Sequence, residues 1–370
     1  MIKRILTNQD LSIKRRLKNT LLYLSRVRGA KRSWEKRHKK VLEINESYSK
    51  PCDKSTEFEH RGKWSAFRSQ VDTTTLRISK NLSGRSDPRI IPEDIYVSDI
   101  EPTLEIDDSV NYLSNKSFYN RWFNEGNFPE EFLHCLEGQY YNYKLERINF
   151  EEFKNLAKNI TYPVVLKPNR GTYGGEGVKF VESYNELINI SEKGNNFVVQ
   201  EKIEQHYYFK KFNPLGLNTI RVYLYRSVLD NELHILNMAL RMGKDGSLDN
   251  VSVGGIHTLI NFDGSLNGYA VDKYGTKYYE HPNSGYNFDS KIPDHEGLKE
   301  LSLKVGNNVF LSRIIGLDAC LDKNGQWRII EVNTKSHSLR FAQYGGQPFF
   351  REFTDEIIEY CTKNHWALTD

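Results

Sequence analysis

The sequence predicts a mixed fold, α+β or α/β, made of two α+β subdomains that follow a basic helical extension. Three observations lead to this fold class. Short runs of β-branched and other apolar residues lie between glycine-containing turns from residue 164 onward, as is typical of strands. Segments with helical spacing separate these runs. The first 45 residues combine helical spacing with a large excess of Lys and Arg.

The order of these segments divides the chain into four regions. We expect a helical extension at 1–45, a mixed region at 46–150, a small subdomain at 151–212 and a larger, strand-rich subdomain at 213–370. Within the mixed region, residues 95–97 are predicted to form a strand. The predicted helices lie at 115–126, 151–159, 184–192, 295–311 and 348–363.

Composition favours a polar globular protein. The chain of 370 residues is 38% hydrophobic, 27% charged and 12% aromatic, and the aromatic content argues against disorder. No run of 18 apolar residues predicts a transmembrane helix, and we expect no signal peptide. The four cysteines are scattered without metal or disulfide spacing, which is typical of reduced thiols in the cytoplasm.

The N-terminal segment is the most basic part of the chain. Residues 1–40 contain fourteen Lys or Arg against Asp10 and Glu35, a net charge of +12 in a chain of net charge +4. An apolar stripe recurs at helical spacing between these charges: Ile13, Leu17, Leu21, Leu24 and Val27. Such a helix suits peripheral contact with an anionic membrane, or it packs on the body with a solvated basic face. Nucleic acid is not expected, because no recognised nucleic-acid-binding fold follows.

A glycine-rich turn follows a short strand at 164–166. Lys167 stands at the end of that strand, and 178–181 reads as a returning strand, so the glycines are expected to cap a β-hairpin. Backbone N–H groups in such a turn can surround an anion, and a lysine adds charge. The spacing fits neither the P-loop nor the dinucleotide fingerprint, and a plain hairpin turn is the alternative. The residues of the predicted anion cradle are Gly171, Thr172, Gly174 and Gly175.

A set of oxygen ligands comes later in the chain. Residues 314–321 and 327–333 read as two strands joined by an Asp-Lys-Asn-Gly turn. Asp318, Glu331 and Asn333 can then lie close together, because Glu331 and Asn333 share one face of their strand. Two carboxylates and one amide oxygen are a typical protein ligand set for Mg²⁺ beside a nucleotide. Together with the lysine–glycine hairpin, they predict ATP and Mg²⁺ used for phosphoryl transfer.

In this order the motifs resemble the ATP-grasp superfamily over about residues 98 to 360. The most similar subgroup is the sugar-transfer-associated ATP-grasp proteins of polysaccharide biosynthesis. The resemblance is carried by Asn-Lys-Ser-Phe at 115–118, the hairpin at 167–177, Asn-Thr-Ile-Arg-Val at 218–222, Leu-Arg-Met-Gly at 240–243, 249–255, His-Pro-Asn-Ser-Gly at 281–285, and Asp318 with Glu-Val-Asn at 331–333.

The resemblance implies a role for several residues. Lys116 and Lys167 would contact the ATP phosphates, and Arg221 and Arg241 would clamp phosphate or acyl phosphate. The adenine would meet the hinge segment, with Gln200, Glu201 and Ile203, and the ribose would meet Glu204 or His206. The chain departs from the pattern at two positions. Tyr208 stands where a ribose-binding carboxylate is usual, and Gly316 stands where many peptide-forming relatives carry Arg.

These features predict a carboxylate–amine ligase that forms an amide through an acyl phosphate, with ADP as a product. Subgroup membership suggests a uronic acid of a nucleotide-sugar or glycan, joined to an amino acid or small amine. Two alternatives stay open: an ATP-dependent sugar kinase, and a nucleotide-binding regulator of polysaccharide assembly.

Overall fold

The computed structural model of the protein describes residues 1–105, 107–123, 126–171, 176–246, 251 and 254–369. The helices are α1 (Ile2–Thr7), α2 (Ile13–Ile44), α3 (Lys54–Trp64), α4 (Thr74–Ser83), α5 (Glu93–Ile95), α6 (Glu101–Leu104), α7 (Tyr119–Trp122), α8 (Phe150–Lys158), α9 (Tyr184–Ser191), α10 (Tyr207–Lys210), α11 (His295–Gly306), α12 (Arg340–Gln343) and α13 (Thr354–Lys363). The strands are β1 (Glu131–Leu136), β2 (Gln139–Asn142), β3 (Arg147–Ile148), β4 (Val164–Pro168), β5 (Lys179–Val181), β6 (Phe197–Glu201), β7 (Thr219–Arg226), β8 (Leu233–Met242), β9 (Ile256–Ile260), β10 (Ala270–Val271), β11 (Lys277–Tyr278), β12 (Ile314–Leu321) and β13 (Trp327–Asn333).

The basic extension is helical and lies against the body of the protein. Ser12 caps α2 by accepting a hydrogen bond from the Arg15 N–H group. One face of α2 is buried at helical spacing through Asn19, Tyr23 and Ala30. The apolar stripe expected from the sequence is therefore divided. Ile13, Leu17 and Leu21 are exposed, whereas Val27 packs beside Tyr23.

The smaller sheet has six strands in the order β3-β2-β1-β6-β4-β5. Helices α8 and α9 cover one face, and their apolar side chains share a core with the sheet. The sequence-based boundary at residue 150 separates β1 to β3 from this subdomain, but β1 pairs directly with β6. We therefore propose that the small subdomain begins at about Glu131.

The larger sheet has seven strands in the order β11-β10-β9-β8-β7-β12-β13. One face packs with α11 in a core that includes Leu224 and Leu298. The other face packs with α5, α13 and the segment between α5 and α6. Arg221 and Asp318 alternate with residues of the first core, so they lie on the second face.

The strand predicted at 95–97 is wrong. This segment is the end of α5, followed by a π-helical turn at Tyr96–Ile100. Ile95, Tyr96 and Ile100 are buried together against the large sheet, and helical spacing brings them to one side. The β-branched composition favoured a strand, but tertiary packing decides the outcome.

The predicted helix at 151–159 is α8, which begins and ends one residue earlier. The helices predicted at 184–192, 295–311 and 348–363 exist with shorter bounds, and the described residues of 115–126 form a 3₁₀ turn and the short α7. No helix in the described ranges is both long and apolar enough to cross a membrane. All four cysteines are buried and free.

Candidate functional site

The face of the small sheet that points away from α8 and α9 carries polar side chains. Lys167 on β4 and His134 on β1 both pair in register with Val198 on β6, which places them in one row. Gln200 is the register partner of Glu131 in the next row. The residues next to these polar side chains along each strand point to the opposite face and belong to the apolar core. The alternation of the strands therefore gathers a lysine, a histidine, a glutamine and a glutamate on one surface.

Lys167 is the central cation of this surface. Its ammonium group forms no hydrogen bond or ion pair with any of the described residues. Burial lowers the pKa of Lys167; Glu331 of the large sheet opposes this shift and Lys116 reinforces it. Lys167 therefore lies within electrostatic reach of the other sheet, and its charge is poorly solvated.

Glu131 and His134 are site residues that the sequence analysis missed, because strand β1 was not recognised. Burial raises the pKa of Glu131 to about 8, against the effects of Gln200 and Lys167. Burial also lowers the pKa of His134 to about 4. Neither ring nitrogen of His134 has a hydrogen-bond partner among the described residues. At neutral pH both side chains are therefore largely uncharged, which leaves the positive charge of Lys167 uncompensated from its own sheet.

The predicted glycine hairpin is present. Strand β5 pairs antiparallel with β4, and Leu166 is the register partner of Lys179. Gly171 and Gly177 have positive φ angles of 74° and 76°. A Cβ atom at Gly177 would lie 2.7 Å from Pro168 Cγ, so the turn requires glycine there. The cradle residues Thr172, Gly174 and Gly175 lie outside the described residues.

The predicted ligand set lies on β12 and β13. Asp318 is the register partner of Glu331 on β13 and of Arg221 on β7, so the three residues form a row across three strands. Arg221 Nε and Nη2 donate to the two oxygens of Asp318 at 2.5 and 3.0 Å. Arg241 Nη2 lies 3.1 Å from the Asp318 carboxylate. Burial raises the pKa of Asp318, but Arg221 and Arg241 outweigh burial and hold that pKa below its ordinary value.

Glu331 is paired in a similar way. Its carboxylate lies 2.9 Å from Lys116 Nζ. The backbone N–H of Lys116 donates to the carbonyl of Asn169, which follows β4, so Lys116 stands where the two sheets meet. Asn333 is two residues further along β13, and its buried Nδ2 has no hydrogen-bond partner among the described residues.

These oxygens are suitable for magnesium. In the described ranges, no three His, Cys, Asp or Glu side chains lie together as a metal cluster. A cation here would therefore have two carboxylates and one amide oxygen, and Mg²⁺ commonly uses few protein ligands together with water and phosphate oxygens. The donor set fits, provided that Arg221, Arg241 and Lys116 exchange part of their pairing for phosphate.

The hinge segment connects the two sheets. Glu201 Oε1 accepts from Arg328 Nη2 at 2.5 Å and from the Glu130 N–H at 2.8 Å. This carboxylate is thus engaged within the protein, and a ligand at Glu201 would have to compete with these two hydrogen bonds. No backbone hydrogen bond among the described residues uses Ile203. The Ile203 peptide groups are therefore available to a ligand.

The residue expected to bind the ribose already has a partner in the protein. Glu204 is exposed and its carboxylate lies 2.7 Å from Lys323 Nζ, so a ligand would have to compete with that pair. Tyr208 is buried, and its hydroxyl lies 2.8 Å from Ser290 Oγ. Tyr208 is part of the core and does not take the place of a ribose-binding carboxylate.

Gly316 makes room for an arginine that comes from another strand. A Cβ atom at Gly316 would lie 3.5 Å from Arg221 Cδ, 3.3 Å from the Tyr223 ring and 3.4 Å from His337. An arginine side chain at position 316 would compete with Arg221 for this space. Glycine at position 316 therefore leaves this space to the Arg221 side chain.

A buried histidine supports the end of β13. His337 Nε2 lies 3.2 Å from the carbonyl oxygen of Asn333, and its Nδ1 lies 3.2 Å from Glu101 Oε1. Burial alone would raise the pKa of Glu101, but His337 lowers that pKa. The sequence analysis assigned no helix or strand at Glu101. It missed the contact between Glu101 and His337, because no local motif indicates it.

Comparison with known proteins places these features in a family. The model of the family described as "Sugar-transfer associated ATP-grasp" matches residues 98–357. The comparison with curated proteins found no match.

Several solved structures are similar to the chain. One is the biotin carboxylase domain of Hydrogenobacter thermophilus 2-oxoglutarate carboxylase, with 15% identity and a TM-score of 0.42 over 67% of this chain and 45% of that chain. Another is Staphylococcus aureus N5-carboxyaminoimidazole synthetase, with 10% identity and a TM-score of 0.39 over 63% of this chain and 50% of that chain. A third is the L-amino acid ligase of Bacillus licheniformis, with 12% identity and a TM-score of 0.39 over 67% of this chain and 48% of that chain. The chain thus spans about half the length of these structures, and their low similarity says nothing about its substrate.

Proposed function

Since this chain belongs to the sugar-transfer-associated ATP-grasp family, we propose that it is an ATP-dependent carboxylate–amine ligase. A substrate carboxylate attacks the γ-phosphate of ATP, which gives an acyl phosphate and ADP. An amine then displaces phosphate and leaves an amide. The single observation that carries the proposal is the meeting of four cations and two carboxylates between the sheets: Lys116, Lys167, Arg221, Arg241, Asp318 and Glu331.

In this proposal each sheet binds a different part of ATP. The backbone at Ile203, beside Gln200, receives the adenine, and Glu204 is the nearest carboxylate for the ribose. Lys167 and Lys116 receive the phosphates. Asp318, Glu331 and Asn333 would hold Mg²⁺, which supplies shielding of the phosphate charge when it is bound.

Arg221 and Arg241 also have a role in the proposed phosphoryl transfer. Arg221 and Arg241 are held on Asp318 by hydrogen bonds, so their guanidinium groups are already oriented before any substrate arrives. Positive charge that is fixed in place stabilises the spreading charge of phosphoryl transfer without reorganisation. A carboxylate substrate beside these arginines would be held in line with the γ-phosphate. The hairpin between β4 and β5 would exclude water, which hydrolyses acyl phosphates.

We propose a uronic acid of a nucleotide-sugar or glycan as the carboxylate, and an amino acid or small amine as its partner, in surface-polysaccharide biosynthesis in the cytoplasm. The family description supports the link with sugar transfer. Peripheral contact with an anionic membrane through residues 1–40 is part of the same proposal, because the outer face of α2 carries exposed apolar side chains among its basic residues.

A phosphate-release screen tests the function. Purified protein with ATP and magnesium is incubated with pairs of uronates and amines, and free phosphate and products are measured. Release that needs both partners and disappears in Lys167→Met, but not in Lys36→Glu on the exposed face of α2, supports the ligase. A stable phosphorylated sugar with no free phosphate would instead identify a kinase. Nucleotide binding without turnover of any pair would favour a regulator.

A further inference from the structure

A histidine ties the segment after β13 back to the last of the proposed magnesium ligands. Asn333 is the final residue of β13, and residues 334–338 belong to no helix or strand. The His337 ring turns back along this segment, and its Nε2 lies 3.2 Å from the carbonyl oxygen of Asn333. An ideal Cβ atom at Gly316, the register partner of Asn333, would be 3.4 Å from His337 Cδ2. The ring therefore lies at the end of the pairing between β12 and β13.

A carboxylate holds the other side of the ring. Nδ1 of His337 lies 3.2 Å from Glu101 Oε1, and the same oxygen accepts a hydrogen bond from the backbone N–H of His337 at 2.9 Å. The Tyr96 hydroxyl donates to this oxygen at 3.4 Å. The side chain of His337 is 0% exposed and that of Glu101 is 13% exposed. These contacts are thus shielded from water, and the ring is held on both sides.

Both partners of the ring are hydrogen-bond acceptors. A carboxylate and a peptide carbonyl have no hydrogen to donate, so the ring satisfies the two together only with an N–H group on each nitrogen. Glu101 compensates the charge that the ring then carries. His337 is therefore a bridge that donates to Glu101 on one side and to the Asn333 carbonyl on the other.

Asn333 needs such support more than the two carboxylate ligands do. Asp318 is held by two arginines, and Glu331 is held by Lys116. The Asn333 side chain, in contrast, has a buried Nδ2 group with no hydrogen-bond partner in the part of the chain that the structure describes. Its orientation depends on the backbone that carries it. Because Mg²⁺ requires nearly ideal octahedral geometry, an uncharged amide oxygen is a useful ligand only where the backbone is fixed.

The segment after β13 is also fixed beside a phosphate-facing arginine. The Ser338 N–H group donates to the Tyr223 hydroxyl at 3.0 Å, and Arg221 Nη1 donates to the same hydroxyl at 3.4 Å. Tyr223 is buried, and its ring meets the His337 ring edge-on with a distance of 5.6 Å between the ring centres. The segment is thus attached near Arg221 as well as at Asn333.

We propose that His337 is a positioning residue for magnesium, held by Glu101 so that Asn333 presents its side-chain oxygen to the cation. This inference rests on the proposed function, because it assigns the residues that orient one ligand of the proposed magnesium site. The benefit of the bridge is geometric, since the amide oxygen carries no charge of its own. Removal of a partner that orients a metal ligand commonly weakens metal binding by about 10–100-fold.

Nucleotide binding with and without magnesium tests this role without any need for turnover. The full chain is titrated with a non-hydrolysable ATP analogue in EDTA, and again over a series of magnesium concentrations. His337→Phe keeps a ring of similar shape and removes both N–H donors. We expect its affinity for the analogue in EDTA to stay within about twofold of wild type, while the magnesium concentration for half-maximal effect rises on the order of tenfold or more.

His365→Phe is the matched control. His365 is also buried, and its Nε2 lies 3.2 Å from a carboxylate oxygen of Asp99, but its other ring nitrogen accepts from the Ala367 N–H and not from β13. This variant should lose thermal stability and keep the magnesium dependence of wild type. His337→Gln restores one N–H donor, so its magnesium dependence should lie between those of His337→Phe and wild type.

Two results would overturn the positioning role: an unchanged magnesium dependence in His337→Phe, or an equal change in His337→Phe and His365→Phe. If His337→Phe does not fold, His337→Leu gives the same comparison, because it also lacks both donors and is smaller. Failure of the proposed function is seen in wild type alone. An analogue that does not bind, or that binds without any response to magnesium, refutes the proposed ATP and magnesium site itself.

Discussion

The small sheet and the large sheet both bring cations to the site, but they hold them differently. Lys167 on the small sheet forms no ion pair with any of the described residues, and burial lowers its pKa. Arg221 and Arg241 on the large sheet are both hydrogen bonded or ion paired to Asp318. An unpaired, poorly solvated ammonium group gains most from an incoming phosphate. A paired guanidinium gains less and contributes more to the folded state.

Because Lys167 is unpaired and the two arginines are paired, loss of Lys167 should affect ligand binding and loss of an arginine should affect stability. Removal of an unpaired, poorly solvated charge relieves a desolvation cost, whereas removal of one partner of a buried pair leaves the other charge uncompensated. The two sheets should therefore respond in opposite ways to the loss of a cation.

The largest expected effect is on stability. Arg221→Ala leaves the buried Asp318 with Arg241 as its main cation, and we expect a loss of about 3–5 kcal/mol in the free energy of unfolding. Urea unfolding followed by circular dichroism measures this loss. In Arg221→Ala with Asp318→Asn, much of the loss should be recovered. If the single variant unfolds at the urea concentration of wild type, the pair does not support the large sheet.

Lys167→Met should behave in the opposite way. The thermal midpoint without nucleotide should stay the same or rise, while kcat/KM for ATP should fall on the order of 10²–10³-fold, as for the loss of one charge-stabilising donor. Differential scanning fluorimetry and steady-state kinetics check the two parts. A fall in thermal midpoint comparable to that of Arg221→Ala would remove the contrast between the sheets.

The variant Glu331→Gln tests whether the large sheet supplies a carboxylate ligand to Mg²⁺. The substitution keeps the shape, removes one charge from the proposed Mg²⁺ ligands and removes the carboxylate that pairs with Lys116. Turnover at ordinary magnesium should fall by orders of magnitude, and the magnesium concentration for half-maximal activity should rise, with little change in melting temperature without nucleotide. An unchanged magnesium dependence would show that Glu331 is not a ligand.

Glu131 allows the small sheet to be tested by pH. Its pKa of about 8 lies above the ordinary value of 4.5, so the folded state binds this proton more tightly than the unfolded state. The resulting stability is fully present below about pH 4.5 and is lost as the pH rises through about 8.

Glu131→Gln should remove this loss, so the melting temperature of the variant relative to wild type should increase between pH 5 and pH 8.5. Glu105, whose pKa burial also raises to about 8, is unchanged in both proteins and cancels in the comparison. If the melting temperatures of wild type and Glu131→Gln change with pH by the same amount across this range, Glu131 is not buried as a neutral acid.

The smallest expected effect is on membrane binding by the basic residues on the outer face of α2, which form a third set of cations. Ile13, Leu17 and Leu21 are 73%, 55% and 69% exposed beside basic residues, and each Lys or Arg near an anionic surface contributes about 1 kcal/mol. The intact chain should sediment with anionic vesicles at low salt and not with neutral ones. Leu17→Ser with Leu21→Ser should weaken this binding, whereas Leu229→Ser, at a site elsewhere that is 78% exposed, should not. Absence of sedimentation at low salt would leave α2 as a structural element only.

The sequence predicted the parts of the site that local patterns encode. The hairpin around Lys167 and the paired strands with Asp318 and Glu331 are confirmed, because each depends on neighbouring strands and a short turn. The pairing of Arg221 with Asp318 depends on the register of strands nearly 100 residues apart, which no local pattern specifies. Glu131 was missed for the same reason, since β1 joins its sheet through β6.

The central claim, activation of a carboxylate by ATP, is tested most directly by oxygen transfer. With an active uronate–amine pair from the screen, the uronate carboxylate is labelled with ¹⁸O and the released phosphate is examined by ³¹P nuclear magnetic resonance. An acyl phosphate places one carboxylate oxygen in the phosphate, so we predict one ¹⁸O atom in each phosphate released. Phosphate without ¹⁸O, formed together with the amide, would contradict the acyl-phosphate mechanism.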